Sequence, residues 1–359
     1  MFWKKNFWLL FLIAQIIVVQ VISFWPETIE HYYSRGIYPI ISAYSRVILD
    51  YFPVSVGDII YLVLLVYLLV KSFKIKNTLR ENWKSHLQSL IKKAAFLYLF
   101  FILMWGLNYS RVPLHEKLEI GEDYTLRELL TFTRKLIVHT NALQLKITGN
   151  DSTRVALPGN IRCNAQQLKL GFDALLTTHP DFAHDGYSLK QSIISYPLTY
   201  MGFSGYLNPF TNEAQVNYML PRYSYAATAA HEMAHQIGFA SESEANFVGY
   251  LATVHHPNDY IRYSGYCTAL RYCLAIVKKK DQRILDKFKT ILNKGVLENF
   301  KETETFWAAH ETFIEKAFHL FYDQFLKWNK QEDGMEGYGK FVNLLVNYYR
   351  DKPLHKSAT

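Results

Sequence analysis

The order of apolar and polar positions divides the chain into an apolar opening and a longer amphipathic remainder. From Phe7 to Trp25 no charge interrupts the nineteen residues FWLLFLIAQIIVVQVISFW, a helix of about 30 Å, the thickness of a bilayer's hydrocarbon core. A second apolar run from Val54 to Val70 carries only Asp58, and a third extends from Ala94 to Leu107 and stays uncharged to Ser110. Trp25, Trp105 and Tyr109 lie near the run ends, where amphipathic rings favour the membrane–water interface. The pattern predicts three transmembrane helices at about 7–25, 54–70 and 94–110, forming a membrane anchor over residues 1–111. The first run exceeds the roughly 7–15 apolar residues of a cleaved leader, and Ser23-Phe24-Trp25-Pro26 offers no small-x-small cleavage site. It is expected to remain as an anchor.

Beyond Val112 the apolar positions follow helical spacing. Thr125-Leu126-Arg127-Glu128 has the form of a capping box, followed by Leu129, Leu130, Phe132, Leu136 and Ile137 on one face. Gly149 to Asn160 is polar and broken by Pro158 and Gly159, as in a loop, and a helix is expected from about Asn164. Glu213, Gln215 and Asn217 alternate with Ala214, Val216 and Tyr218, the period of a short half-buried strand. Amphipathic stretches resume near Ala226, Ser264, Ile284, Glu304 and Tyr338. The expected fold is mainly α: three membrane helices, then a mostly helical domain over residues 112–359 with a small β element.

Half of the 359 residues are hydrophobic and 19% are charged, which excludes intrinsic disorder. The net charge of +8 is concentrated between the second and third runs, where Lys71, Lys74, Lys76, Arg80, Lys84, Lys92 and Lys93 face the single acid Glu81. A basic cluster between apolar runs is a topology signal rather than a nucleic-acid surface. With Lys4 and Lys5 ahead of the first run, it places the N-terminus in the cytoplasm and the domain beyond Arg111 outside, as a multi-pass protein of the cytoplasmic (inner) membrane. The lipid bilayer is thus an expected partner, and nucleic acid is not. Three cysteines, Cys163, Cys267 and Cys273, exclude a disulfide framework and read as small buried residues. Gly334 to Lys340 fits a phosphate loop until Phe341, where Ser or Thr is required, and no apolar strand precedes it. No nucleotide is expected.

The informative window is AATAAHEMAHQIGFASESEANFVGYLA, residues 226–252. His231-Glu232-Met233-Ala234-His235 is an HExxH motif. On a helix, histidines four apart project from one face and can hold a Zn²⁺ together, with Glu232 placed as base for a water that the metal activates. Ala226, Ala227, Ala229, Ala230 and Ala234 keep that helix slim enough for close burial. Gly238 can end the helix in the left-handed conformation, and a second helix can begin at Ser241 with Glu244 as its capping-box partner. The bend returns Glu242 towards the histidines as a third ligand, with Glu244 as a rival. Asn246, one turn on, is expected to orient His231 or His235.

HExxH followed by Glu242-Ser243-Glu244-Ala245-Asn246 resembles the two-helix signature of gluzincin-type zinc metallopeptidases, among them the membrane-embedded prenyl-protein proteases. The resemblance implies a zincin-like domain with His231, His235 and Glu242 as ligands and Glu232 as base. The seven-residue step from His235 to Glu242 is shorter than in those families. The His-x-x-Gly turn is closer to metzincins, whose third ligand would fall at Ser241. The apolar runs, GFSGYLNPFTNEAQVN, RYSGY and the terminal YGKFVNLLVNYY resemble an uncharacterised bacterial family of membrane-anchored HExxH proteins, a domain of unknown function.

Weaker signals surround the motif. Glu213–Asn217 is a candidate edge strand for a peptide substrate. Tyr263 is a candidate oxyanion donor, beside Tyr260, Arg262 and Tyr266, and His255-His256 reads as a loop cap. The expected function is a membrane-anchored zinc-dependent hydrolase, a peptidase acting on peptide or protein outside the cytoplasm. The alternative is a non-catalytic zinc-binding envelope protein, for which Glu232 would have no task.

Overall fold

Two kinds of helix result from the two hydrophobic patterns, one exposing its apolar side chains and one burying them. The computed structural model describes residues 2–75, 79–158, 164–182, 186, 188–329 and 338–354. Helix α1 covers Phe2–Ile22. It is followed by α2 (Pro26–Ile29), a π-helical turn (Glu30–Ile37), α3 (Tyr38–Asp50), α4 (Val56–Ile75) and α5 (Leu79–Met104). Along α1, α4 and α5 most aliphatic side chains remain exposed, as expected of surfaces that meet lipid. Val56–Lys74 and Asn82–Met104 are long and apolar enough to cross a membrane, whereas Asn6–Ile22 passes only together with Pro26–Asp50, across a 104° bend. The described residues therefore hold two membrane-spanning candidates, or three if the bent pair forms one span. Ser23 and Ser110 share a hydroxyl hydrogen bond of 2.8 Å, so the end of α1 meets the segment that follows α5.

One expectation about this region needs correction. The third apolar helix runs through the basic stretch instead of starting at Ala94, because lysines are good helix formers whose stems lie along an apolar surface while the charge reaches water. It ends at Met104, and Gly106–Ser110 is a 3₁₀ turn. Residues 26–50, between the first and second apolar runs, are helical as well. Their inward face is polar: Glu30, Ser34, Tyr38, Ser42 and Arg46 recur every four residues and are all buried.

The remainder is helical around a small sheet. Helices α6 (Leu114–Lys117), α7 (Leu126–Thr148), α8 (Ala165–Leu175) and α9 (Ser195–Tyr200) precede α10 (Tyr225–Gln236), α11 (Glu242–Val254) and α12 (Asp259–Lys280), with α13 (Gln282–Thr290), α14 (Lys294–Ala308), α15 (Phe313–Trp328) and α16 (Tyr338–Tyr348) closing the fold. The capping box at Thr125 and Glu128 forms in full. Most of α11 is buried, packed between α8, α10, α12 and α16. Cys267 and Cys273 are free, buried thiols. Cys163 and Gly334–Gly337 lie outside the described residues.

Strands β1 (Leu189–Gln191), β2 (Gly205–Leu207) and β3 (Ala214–Val216) form one sheet in the order β1-β3-β2. Leu189 pairs with Ala214 in parallel, and Gly205 with Val216 in antiparallel register. The segment expected as a half-buried edge is thus the central strand, with Glu213, Gln215 and Asn217 all buried. These polar groups have partners. Glu213 accepts hydrogen bonds from Val56 N (3.1 Å), Gly57 N (2.7 Å) and Lys190 Nζ (3.0 Å), which caps the orphan donors at the start of α4. Asp58, the acid inside the second apolar run, accepts from Ser192 Oγ (2.9 Å), Ile193 N (2.7 Å) and the Tyr206 hydroxyl. The sheet is fastened to the first turn of a membrane-length helix.

Candidate metal centre

The centre is built on the end of α10 and the start of α11. The alanines of α10 are buried along with Met233, so side-chain bulk does not hold α11 away. Gly238 has φ of 86°, a left-handed conformation that turns the chain without a Cβ penalty. Ser241 is the N-cap of α11 by backbone conformation, but its side chain makes no capping bond. The capping box expected with Glu244 is absent because Glu244 accepts instead from Leu114 N at 2.6 Å. Burial raises the Glu244 carboxyl pKa, and that backbone donor, Arg111 and Lys117 partly offset the effect. Glu244 is directed away from the histidines.

Glu242 is directed towards them. Its Oε2 lies 3.2 Å from His231 Nε2 and 3.8 Å from His235 Nε2, and the two Nε2 atoms are 3.1 Å apart. His235 Nδ1 donates to Phe239 O at 2.6 Å, which turns its Nε2 towards the other two groups. Burial alone would raise the Glu242 carboxyl, but the bonds from His231 and His235 hold it well below the usual range. Burial depresses the His235 imidazole, and the Glu242 carboxylate more than compensates, lifting it to about 9. The Tyr322 hydroxyl donates to Glu242 Oε1 at 2.8 Å, and the Trp105 ring stands edge-on to His235, with centroids 6.1 Å apart.

Glu232 is buried beside the same pair, and among the described residues its Oε2 has no hydrogen-bond partner. Burial raises its carboxyl to about 7, against the pull of the two imidazoles. A Cβ on Gly205 would come within 2.7 Å of Glu232 Oε1, so β2 passes directly over this carboxylate. Ligand atoms about 2.0–2.1 Å from a tetrahedral zinc lie about 3.3 Å from one another. The two nitrogens and Oε2 of Glu242 are spaced at 3.1, 3.2 and 3.8 Å, close to that spacing, and His231, Glu232 and His235 form a group that could hold a metal ion. The carbonyl of Gln236, at the end of α10, accepts from the hydroxyls of Tyr38 (3.0 Å) and Ser42 (3.2 Å) and from Arg46 Nη1 (3.3 Å). Arg111 bonds Ile237 O at 3.4 Å and clamps Glu30 with two bonds of 2.9 Å. The buried polar stripe of residues 30–46 thus closes the end of the histidine helix.

A cavity of about 560 Å³ opens over the cluster. Asn246 lines it, but among the described residues makes no hydrogen bond to either imidazole; the Phe239 carbonyl performs that orienting role for His235. Tyr263 is buried elsewhere and donates to Asn299 Oδ1 at 2.9 Å, and Tyr260, Arg262 and Tyr266 do not line the cavity. His256 bonds Gln167 O at 2.8 Å and accepts from Asn258 N at 2.9 Å, closing a loop as expected. Sequence reasoning missed Tyr322, Trp105, Tyr109 and Arg271, all of which line the cavity. Trp105 and Tyr109 were visible only as interfacial aromatics, and nothing marks Tyr322 among 26 tyrosines.

A family model described as a protein of unknown function (DUF3810) matches residues 33–346. The chain belongs to this family. The part of it that carries the DUF3810 match includes α4, α5, the sheet and the whole His–Glu cluster. No curated protein matches the chain, and no solved structure does.

Proposed function

We propose that this DUF3810 protein is a membrane-anchored zinc-dependent hydrolase of the zincin kind, a peptidase acting on peptide or protein outside the cytoplasm. The observation that carries the reading is the convergence of His231 Nε2, His235 Nε2 and Glu242 Oε2 beside a buried carboxylate with an unpartnered oxygen. His231, His235 and Glu242 would hold the ion. When bound, Zn²⁺ supplies Lewis acidity towards a scissile carbonyl and makes a water more acidic. Glu232 takes the water's proton at its free Oε2 and returns it to the leaving amine. Tyr322 holds Glu242 through Oε1, and the Phe239 carbonyl holds His235 through Nδ1. The outer edge of β2 lines the cavity above Glu232, and an extended substrate would pair there by main-chain hydrogen bonds, in place of the buried β3. A purely structural ion would have no use for Glu232.

The test is Glu232→Gln in full-length protein. The expected result is retained zinc and fold with loss of hydrolysis, by about 10²–10⁴ in rate, read as accumulation of uncleaved envelope proteins relative to wild type. Full complementation of a deletion strain by Glu232→Gln would end the enzymatic reading in favour of a zinc-binding envelope protein.

A further inference from the structure

We infer that α15 and the α9 rim form an interfacial belt that rests on the bilayer surface around the mouth of the cavity. On α15, Phe313, Ala317, Leu320, Phe321 and Trp328 follow i, i+4, i+7, i+8 and i+15 spacing and share one face, and all are exposed. Phe313, Phe321 and Trp328 are 81%, 66% and 78% exposed. A stripe of large apolar groups on an amphipathic helix, with Lys316 and Lys327 along its border, has the form of a helix lying in the headgroup region.

The flank of this stripe shows where it lies. Phe325 packs against Phe101 of α5 and against Tyr109, each with centroids 6.2 Å apart. Phe101 is in the last turn of a membrane-length helix, so α15 is fixed at the level where that helix leaves the bilayer. A second, separate link gives the same level. Tyr196 and Tyr200 of α9 and neighbouring Tyr218 are exposed, and α9 is tied to the start of α4 through the bond from Ile193 N to Asp58. Asp58 in the first turn of α4 accepts from the Tyr206 hydroxyl, and Phe101 in the last turn of α5 packs against Phe210, so the start of α4 and the end of α5 meet the same segment of chain and lie at one level. Thr312, the N-cap of α15, donates to Tyr200 O at 3.2 Å, which joins the two parts of the belt. Tyrosine and tryptophan favour this depth. The occupant of the belt is the lipid surface itself, continuous with the apolar faces of α4 and α5.

The inference does not rest on zinc or catalysis, and its test is independent of both. The full chain, with Cys163→Ser, would carry a nitroxide label at one introduced cysteine and be reconstituted in phosphatidylcholine–phosphatidylglycerol vesicles. The buried Cys267 and Cys273 are not expected to react. Labels at Phe321, Trp328 and Tyr196 should collide readily with oxygen and be protected several-fold from a water-soluble nickel complex, relative to labels at Lys316 and Asp323. Equal nickel access at all five positions would overturn the belt. So would spin–spin broadening with protection from both agents, since a second copy would then cover the face.

Discussion

His231, His235 and Glu242 bring Nε2, Nε2 and Oε2 within 3.1–3.8 Å of one another, and the proposed site makes definite what single substitutions should do. His235→Ala removes one donor of three and should cost most of the bound zinc in elemental analysis of purified protein; near-stoichiometric retention would refute the ligand set. Glu242→Ala should lose metal, while Glu244→Ala should keep it, because the Glu244 carboxylate is engaged with Leu114 N. The reverse outcome would transfer the third position to Glu244. Tyr322→Phe deletes only the hydroxyl that holds Glu242 Oε1. Loss of such an orienting partner typically weakens metal binding about 10–100-fold, which competition with a chromophoric chelator would measure, and unchanged affinity would show that Tyr322 merely fills space.

At the scale of elements, the proposed cation site depends on the turn between α10 and α11. Gly238→Ala forces a Cβ into a left-handed position, 3.1 Å from Asn108 Oδ1 and 3.1 Å from the Tyr38 ring. Strain of this kind costs about 1–3 kcal/mol. The variant should unfold at lower temperature and bind zinc more weakly, because the turn sets the position of Glu242; an unshifted melting curve would mean that the turn relaxes freely. This turn was legible in the sequence, since HExxH, a following glycine and an acid are local signals with fixed spacing. The closure of α10 by residues 26–50 was not. Glu30, Ser34, Tyr38, Ser42 and Arg46 keep a regular four-residue period, but an apolar stripe is what periodicity arguments look for. The partners of these polar groups lie far away in sequence, as with Tyr38 and Gln236. The strand at 214–216 was found by its alternation, yet its polar face is buried by Glu213 capping α4 and Gln215 reaching Ser55. Alternation reports polarity, and here polarity did not mean solvent.

For the molecule as a whole, the same bonds decide how membrane helices and domain move together. Glu213 and Lys190 form a buried ion pair at 3.0 Å, and Glu213 also satisfies two donors of α4. Removing one partner of a buried pair leaves the other charge without compensation, at a cost of about 3–5 kcal/mol. Glu213→Ala should therefore loosen the sheet from α4, seen as faster proteolysis near Gly205 in vesicle-reconstituted protein. Orientation follows from where the charges and ends lie. The ends of α1 and α5 meet near Ser23 and Ser110, and the start of α4 is held by the sheet. Of the basic stretch, Lys71 and Lys74 fall in the last turns of α4, and Arg80, Lys84, Lys92 and Lys93 lie in α5 ahead of Ala94. The positive-inside rule predicts from this arrangement that the basic residues face the cytoplasm and the His–Glu cluster faces away, the orientation proposed for this protein. A reporter active only outside the cytoplasm should give signal when fused after Leu114 and none when fused near Lys84. The opposite pattern would place the cavity, its belt and any substrate on the cytoplasmic side.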